Sequence, residues 1–137
     1  MPVNNRIADF AEEVAEWRLE AICPEQRLEA IVAAMHGFLG ASMQQPPQIY
    51  RVGLSTTRLL LALGDLLIGW LLARQAEVAQ RALDDADALS DADRDFYTGK
   101  LAVARFFTTT VLPRLETDRK IVEQTSLDLM EVPEGAF

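Results

Sequence analysis

Apolar residues recur at steps of three and four positions along most of the chain, which is the spacing that lines one face of an α-helix. The first such stripe runs from Ile7 to Ala21, and the second from Leu28 to Ser42. Leu, Ala, Arg and Gln, all strong helix formers, dominate the proline-free stretch from Gln48 to about Ala88. The pattern predicts four helices, over residues 5–22, 24–44, 48–88 and 91–125.

Proline and capping residues indicate where these helices begin and end. Pro24 suits the first turn of the second helix, and the Pro46–Pro47 pair requires a break before the third. Ser90, followed by Asp93 three positions later, matches a capping box for the fourth helix. Pro113 follows a threonine run of low helix propensity and is expected to kink that helix.

No segment alternates apolar and polar residues with a period of two, so the chain is predicted to be all-α. We expect one helical domain over residues 1–137, folded as an antiparallel up-down four-helix bundle with long third and fourth helices. A helix over 48–88 would span about 60 Å, so either the bundle is elongated or the helix bends at a glycine. The tail from Ser126 to Phe137 lacks helical spacing and is predicted to pack as an extended strap.

The run from Leu59 to Ala73 is apolar on every side except Asp65. Its 15 residues fall short of the roughly 20 that span a bilayer, and a central aspartate costs roughly 2.5–3.5 kcal/mol on insertion scales. We therefore expect no membrane span. An apolar helix in a soluble chain is surrounded by protein, so the surplus apolar face indicates a subunit or domain interface, with a wide core as the alternative.

Asp65 is the most unusual polar residue of the chain, because an unpaired buried carboxylate is energetically expensive. If the third and fourth helices form a hairpin that turns near residue 89, Asp65 lies near Arg114. The same register places Glu77 near Lys100 and Leu101, and Gly69 near Thr109. An ion pair that holds the helix register is the interpretation we favour over a catalytic carboxylate.

The charge and the cysteine content restrict the kinds of binding partner and the cellular location that are expected. With 13 Lys and Arg against 21 Asp and Glu, the net charge is −8, which argues against nucleic acid or an anionic membrane as the main partner. Cys23 is the only cysteine, so no intramolecular disulfide can form, and no secretory leader pattern is present. The expected location is the cytoplasm.

Motifs that carry chemistry are incomplete or missing. Asp91, Asp93 and Asp95 have the spacing of a calcium loop, but its glycine and its bidentate glutamate are replaced by Phe96 and Ala102. His36 is the only histidine, so a histidine-rich metal site is excluded in a single chain. The sequence contains no P-loop, no dinucleotide-binding glycine motif and no nucleophile elbow. No metal site is predicted.

Several motifs together resemble the carboxyl-terminal helical domain of bacterial acyl-CoA dehydrogenases. The resemblance covers roughly residues 25–137, mainly 48–79, 95–113 and the ending SLDLMEVPEGAF. The order and spacing of the motifs, together with the shared ending, make the resemblance more specific than any single motif does. The motifs are Gly64-Asp65, Gly69-Trp70-Leu71-Leu72, Arg74-Gln75-Ala76, Phe96-Tyr97, Gly99-Lys100 and Ala104-Arg105-Phe106-Phe107.

The resemblance implies a parent flavoenzyme that uses FAD to remove two hydrogens from the α and β carbons of an acyl-CoA, with a glutamate as the base. In that family, extra carboxyl-terminal helices pack on the enzyme core or on a neighbouring subunit. None of the motifs for the flavin site or the catalytic glutamate aligns with this chain. The chain is therefore interpreted as the carboxyl-terminal domain of a longer enzyme, or as a free-standing relative without the catalytic part.

Three hypotheses follow for function. The first is an accessory, architectural domain whose apolar face docks against the dehydrogenase core or a second copy, without a cofactor of its own. The second is a stand-alone helical adaptor that homodimerises, and the third, an enzyme in its own right, is disfavoured. We assign no catalytic, cofactor-binding or metal-binding residue. The structural or interface candidates are Gly64, Asp65, Gly69, Trp70, Arg74, Glu77, Lys100, Arg105, Phe107 and Arg114.

Overall fold

The computed structural model describes residues 22–85 and 89–137, with side chains from residue 25 onward. The secondary structure of these residues is helical. The predicted helix over 5–22 therefore lies almost entirely outside the described residues. Three short 3₁₀ turns cover Pro46–Gln48, Asp128–Glu131 and Glu134–Ala136. The α-helices are α1 (Ile22–Ser42), α2 (Ile49–Asp84), α3 (Asp91–Thr110) and α4 (Arg114–Gln124). The all-α prediction is confirmed for this part of the chain.

Helix α3 begins with the cap that the sequence predicts. The Ser90 hydroxyl oxygen accepts a hydrogen bond from the Asp93 backbone N–H at 3.2 Å, and the hydroxyl donates to the Asp93 carboxylate at 2.7 Å. The acidic first turn also complements the positive end of the helix dipole. This cap sets the start of α3 at Asp91.

At Pro113 the structure contains a full interruption where the sequence predicted a kink. The hydroxyls of Thr108 and Thr109 donate to backbone carbonyls one turn earlier, each at 2.9 Å. Such bonds compete with the helical ladder, and Pro113 has no N–H with which to continue it. The backbone N–H groups of Val111 and Leu112 both point to the Phe107 carbonyl. The predicted helix over 91–125 is therefore divided into α3 and α4.

One compact unit, the hairpin unit, consists mainly of residues 65–85 and 89–113. The Lys100 ammonium donates to the Gln75 amide oxygen at 3.3 Å, while Gly69 lies against Leu112. Moving along α2 from 69 to 75 thus corresponds to moving backwards from 112 to 100, so the two segments are antiparallel. The buried core between them is built mostly from small residues: Ala76, Ala79, Leu83, Leu101 and Ala104.

The second unit comprises residues 26–64 and 114–137. Its largest fully buried apolar side chains are Ile31 of α1 and Leu115 and Val122 of α4. Leu115 and Val122 are seven positions apart and therefore lie on the same face of α4. This face supplies the apolar part of the second unit.

Arginines connect the helices of the second unit at its surface. Arg27 of α1 approaches Glu116 at 3.2 Å, and Arg58 of α2 pairs with Asp118 at 2.5 Å. Arg51 of α2 donates from Nε to the Thr125 carbonyl at 2.6 Å. These contacts join the first half of α2 to α4 and to the residue that follows it.

The tail departs from the predicted packed strap. Its two 3₁₀ turns are joined by extended backbone at Val132 and Pro133. Apart from half-buried Leu127, its large apolar side chains remain exposed, most of all Phe137 at 89% and Leu129 at 62%. Local i→i+3 hydrogen bonds, such as Met130 N–H to the Leu127 carbonyl at 2.8 Å, shape the tail instead of core packing.

Two glycines of α2 give a matched test of the close approach between α2 and α3. A Cβ at Gly69 would lie 3.1 Å from both Leu112 methyl carbons, whereas a Cβ at Gly64 meets nothing within 4 Å. Gly64→Ala should stabilise the fold by about 0.5–1 kcal/mol through helix propensity. Gly69→Ala should lose most of that gain, and Gly69→Val should destabilise by about 1–3 kcal/mol. Urea unfolding measures all three, and equal effects of the two alanine variants would exclude tight packing at Gly69.

The ion-pair group around Glu116 predicts an acid-sensitive contribution to stability. Hydrogen bonding from Arg119, together with its charge and that of Lys120, lowers the pKa of Glu116 from 4.5 to about 2. Since the folded pKa is depressed, this stabilisation is present above pH 4.5 and is lost as the pH falls towards 2. The Tm difference between the unmodified chain and Glu116→Gln should therefore shrink over that range.

The matched control for this pH experiment is Glu134→Gln, because Glu134 is an exposed carboxylate of the tail. Circular dichroism at a series of pH values gives each Tm. A Glu116→Gln difference that stays constant from pH 6 to pH 2 would contradict the assignment.

Ser55 is 2% exposed, and its hydroxyl oxygen has no hydrogen-bond partner. An unsatisfied buried hydroxyl costs about 1–3 kcal/mol, and alanine is also the better helix former. Ser55→Ala should therefore raise the free energy of unfolding by about 1 kcal/mol. A loss of stability in urea unfolding would show that the hydroxyl makes a stabilising contact.

Candidate functional site

The hairpin unit places small residues in its core and leaves large apolar side chains in solvent. Trp70 and Val103 are about half exposed, at 54% and 53%, and Phe106 is 65% exposed. Leu67 and Ile68 of α2 are exposed to a similar extent. We refer to these as the outer apolar residues: Leu67, Ile68, Trp70, Val103 and Phe106. Large apolar side chains exposed in this number on two paired helices favour an interaction site in the hairpin unit.

Helix α2 carries most of this surplus apolar surface. The stretch Pro46–Asp84 is long and apolar enough, by length and composition only, to cross a membrane, and 11% of its most apolar window is buried. One such helix is weak evidence for a membrane span, because the core helix of a soluble protein passes the same test. Asp65, half-buried in the middle of the apolar run, would be costly at the centre of a bilayer, which argues against a span.

A shallow groove of about 510 Å³ runs between α2 and α3 in the hairpin unit. Leu71, Val78 and Phe96 form much of its apolar lining. Two cations border it: the Arg74 guanidinium lies 5.8 Å from the centre of the Trp70 ring, and the Lys100 ammonium lies 5.2 Å from that of Phe96. We call this feature the cationic groove; it is lined by Leu71, Arg74, Gln75, Val78, Ala79, Phe96, Tyr97 and Lys100.

The sequence-predicted residues fall into different environments. Asp65, Glu77, Arg105 and Arg114 each have an interaction partner, and the pairing of Asp65 with Arg114 stays a prediction. Lys100 bonds to Gln75, two positions before the Glu77 that the proposed register suggested.

The two glycines and Phe107 differ in burial. Gly69 is buried and contacts Leu112, one turn beyond the predicted Thr109. Gly64 and Phe107 are half-buried. Gly69 is thus a packing residue between α2 and the end of α3, while the interface role expected of the other candidates stays a prediction.

A second groove, of about 520 Å³, lies along α1. Leu28, Glu29, Val32, Ala33 and His36 line it. His36 is exposed there, and Glu29 is the other titratable side chain of this lining.

A metal ion and FAD each require particular groups in their binding sites. In residues 22–85 and 89–137, no group of three or more His, Cys, Asp or Glu could hold a metal ion. FAD needs hydrogen-bond partners for its ring system and its phosphates. Within those same ranges, Ser55 is the one buried polar side chain, and both grooves are shallow and mainly apolar. These residues therefore do not fit FAD.

The arginines that connect the helices of the second unit were not identified from the sequence. Arg51 and Arg58 reach partners 74 and 60 positions away, and such distant pairs leave no local signal. The Glu116–Arg119–Glu123 set was readable in principle, because its members lie three and four positions apart on one helix face.

Comparison with known proteins gives two concordant matches. Residues 4–133 match a family described as "Acetyl-CoA dehydrogenase C-terminal like". The chain is also 47% identical over 110 residues to the broad-specificity linear acyl-CoA dehydrogenase FadE5 of Mycobacterium tuberculosis. The aligned segment covers 80% of this chain and 18% of that relative. The chain thus spans about a fifth of the length of the curated relative it matches.

Proposed function

This chain belongs to the family of acyl-CoA dehydrogenase carboxyl-terminal domains, and we propose that it is an accessory, architectural domain of a longer FAD-dependent acyl-CoA dehydrogenase. In this proposal the whole chain, residues 1–137, is one helical domain that supplies domain or subunit contacts and performs no chemistry. The flavin, the catalytic base and the acyl-CoA site belong to other parts of the enzyme. We further propose a cytoplasmic location.

The exposure of the outer apolar residues is the observation that carries the proposal. Burying the exposed part of a Leu or Phe side chain contributes about 1 kcal/mol, so a partner that covers several of them gains useful binding energy. An enzyme core or a second copy of the chain are the two surfaces expected to cover them. A net charge of −8 disfavours nucleic acid as a partner.

We also propose the up-down arrangement of four antiparallel helices for the complete domain. The antiparallel α2–α3 hairpin and the contacts of α4 with α1 and α2 inside the second unit are compatible with it. A stand-alone adaptor is the weaker alternative, because the matched family is defined by the carboxyl-terminal part of a dehydrogenase.

The docking proposal predicts that this chain binds the rest of a dehydrogenase in trans. The test uses the mycobacterial relative expressed without the segment that this chain matches, titrated with the 137-residue chain by calorimetry. Leu67→Ser combined with Phe106→Ser should weaken binding by about thirtyfold, because roughly 1 kcal/mol of burial is lost at each site. Sedimentation velocity reports self-association in the same variants.

Met43→Ser is the matched control, because Met43 is 85% exposed and lies outside both the hairpin unit and the outer apolar residues. This variant should bind as the unmodified chain does. Failure of the chain to associate with the dehydrogenase fragment or with itself would contradict the docking role, and acyl-CoA turnover by the chain alone would contradict its non-catalytic assignment.

A further inference from the structure

Two cations of the hairpin unit lie over aromatic rings. Arg74 lies over Trp70, and Lys100 lies over Phe96 and bonds to the neutral Gln75. The chain has 21 acidic residues against 13 basic ones, so two cations that border one apolar groove depart locally from its overall charge.

The lining of the cationic groove indicates what kind of ligand it could bind. The cationic groove offers an apolar floor that includes Leu71, Val78 and Phe96, with positive charge at Arg74 and Lys100. Its shallow form suits a surface-lying segment better than a molecule enclosed on all sides. A short peptide with alternating apolar and acidic side chains would satisfy the floor and the cations together.

The tail of this chain has that composition. Asp128, Glu131 and Glu134 are interspersed with exposed Leu129, Met130 and Val132. The acidic start of α3 is a poorer match, since Asp91, Asp93 and Asp95 have no exposed large apolar side chain between them. In one chain the tail side chains and the groove are both open to solvent, which leaves each available to another copy.

We propose that the cationic groove of one copy binds the tail, residues 126–137, of a second copy. Leu129 and Val132 would cover the apolar floor, and Asp128 and Glu131 would pair with Arg74 and Lys100. Because each chain carries one groove and one tail, reciprocal exchange gives a closed two-fold dimer. This self-recognition adds to the docking role and does not depend on it, because the outer apolar residues do not line the groove.

The test is a binding measurement with the 137-residue chain and a fluorescein-labelled peptide of residues 126–137, amidated at its carboxyl end. Fluorescence anisotropy should show saturable binding that weakens as salt rises. Arg74→Glu combined with Lys100→Glu should weaken binding by about tenfold or more, since two attractive pairs become repulsive. Arg81→Glu is the matched control, because Arg81 is an exposed arginine of α2 outside the groove lining.

Peptide variants keep the test decisive even where a protein variant fails to fold. Asp128→Lys with Glu131→Lys should abolish binding to the unmodified chain and restore it to the charge-reversed chain. Leu129→Ser with Val132→Ser should also weaken binding, which separates groove recognition from charge attraction alone. Absence of peptide binding, binding insensitive to these substitutions, or failure of the charge swap to restore it would overturn the proposal, whatever the outcome of the docking experiment.

Discussion

The close approach of α2 and α3 through small residues is the constraint on which the rest of the hairpin unit depends. Gly69 lies against Leu112, and Ala76, Ala79 and Ala104 form most of the interior between the two helices. With so little side-chain volume between them, the helices can pack closely. The interruption at Pro113 places Leu112 at the end of α3, where it covers Gly69. The contact between Gly69 and Leu112 thus lies where α2 and α3 pack together and where the chain leaves α3.

This arrangement also accounts for the exposed surface. When small residues occupy the inward side of α2, its large ones, including Leu67 and Trp70, remain in solvent. The second unit differs, because its α4 is strongly polar apart from Leu115, Ile121 and Val122. There, arginines such as Arg27 and Arg58 join α4 to α1 and α2 by charge-assisted contacts. Surplus apolar surface therefore belongs mainly to α2 and α3.

The family assignment identifies this chain as a carboxyl-terminal dehydrogenase domain, and the structure describes the surface that this domain offers. The match extends over residues 4–133, while the chain corresponds to 18% of the length of the dehydrogenase it resembles. The described residues provide shallow grooves and exposed apolar side chains, but no buried polar arrangement suited to FAD. The proposed role in domain or subunit contacts rests on the exposure of the outer apolar residues.

Local chemistry in the sequence determined the helical class, the cap at Ser90, a distortion at Pro113 that proved to be a full break, and the packing role of Gly69. Each depends on residues within a few positions or on residue size, which can be read from the chain itself. Only the tertiary structure decided that Lys100 bonds to Gln75, that Arg51 and Arg58 reach α4 and the residue after it, and that the tail remains exposed. A helical stripe predicts which face is apolar, but it leaves the facing partner and the register within one turn undetermined, since adjacent registers bury similar apolar residues. The long, flexible side chains of Arg and Lys find their partners, and so distinguish one register from another, only once the helices have packed.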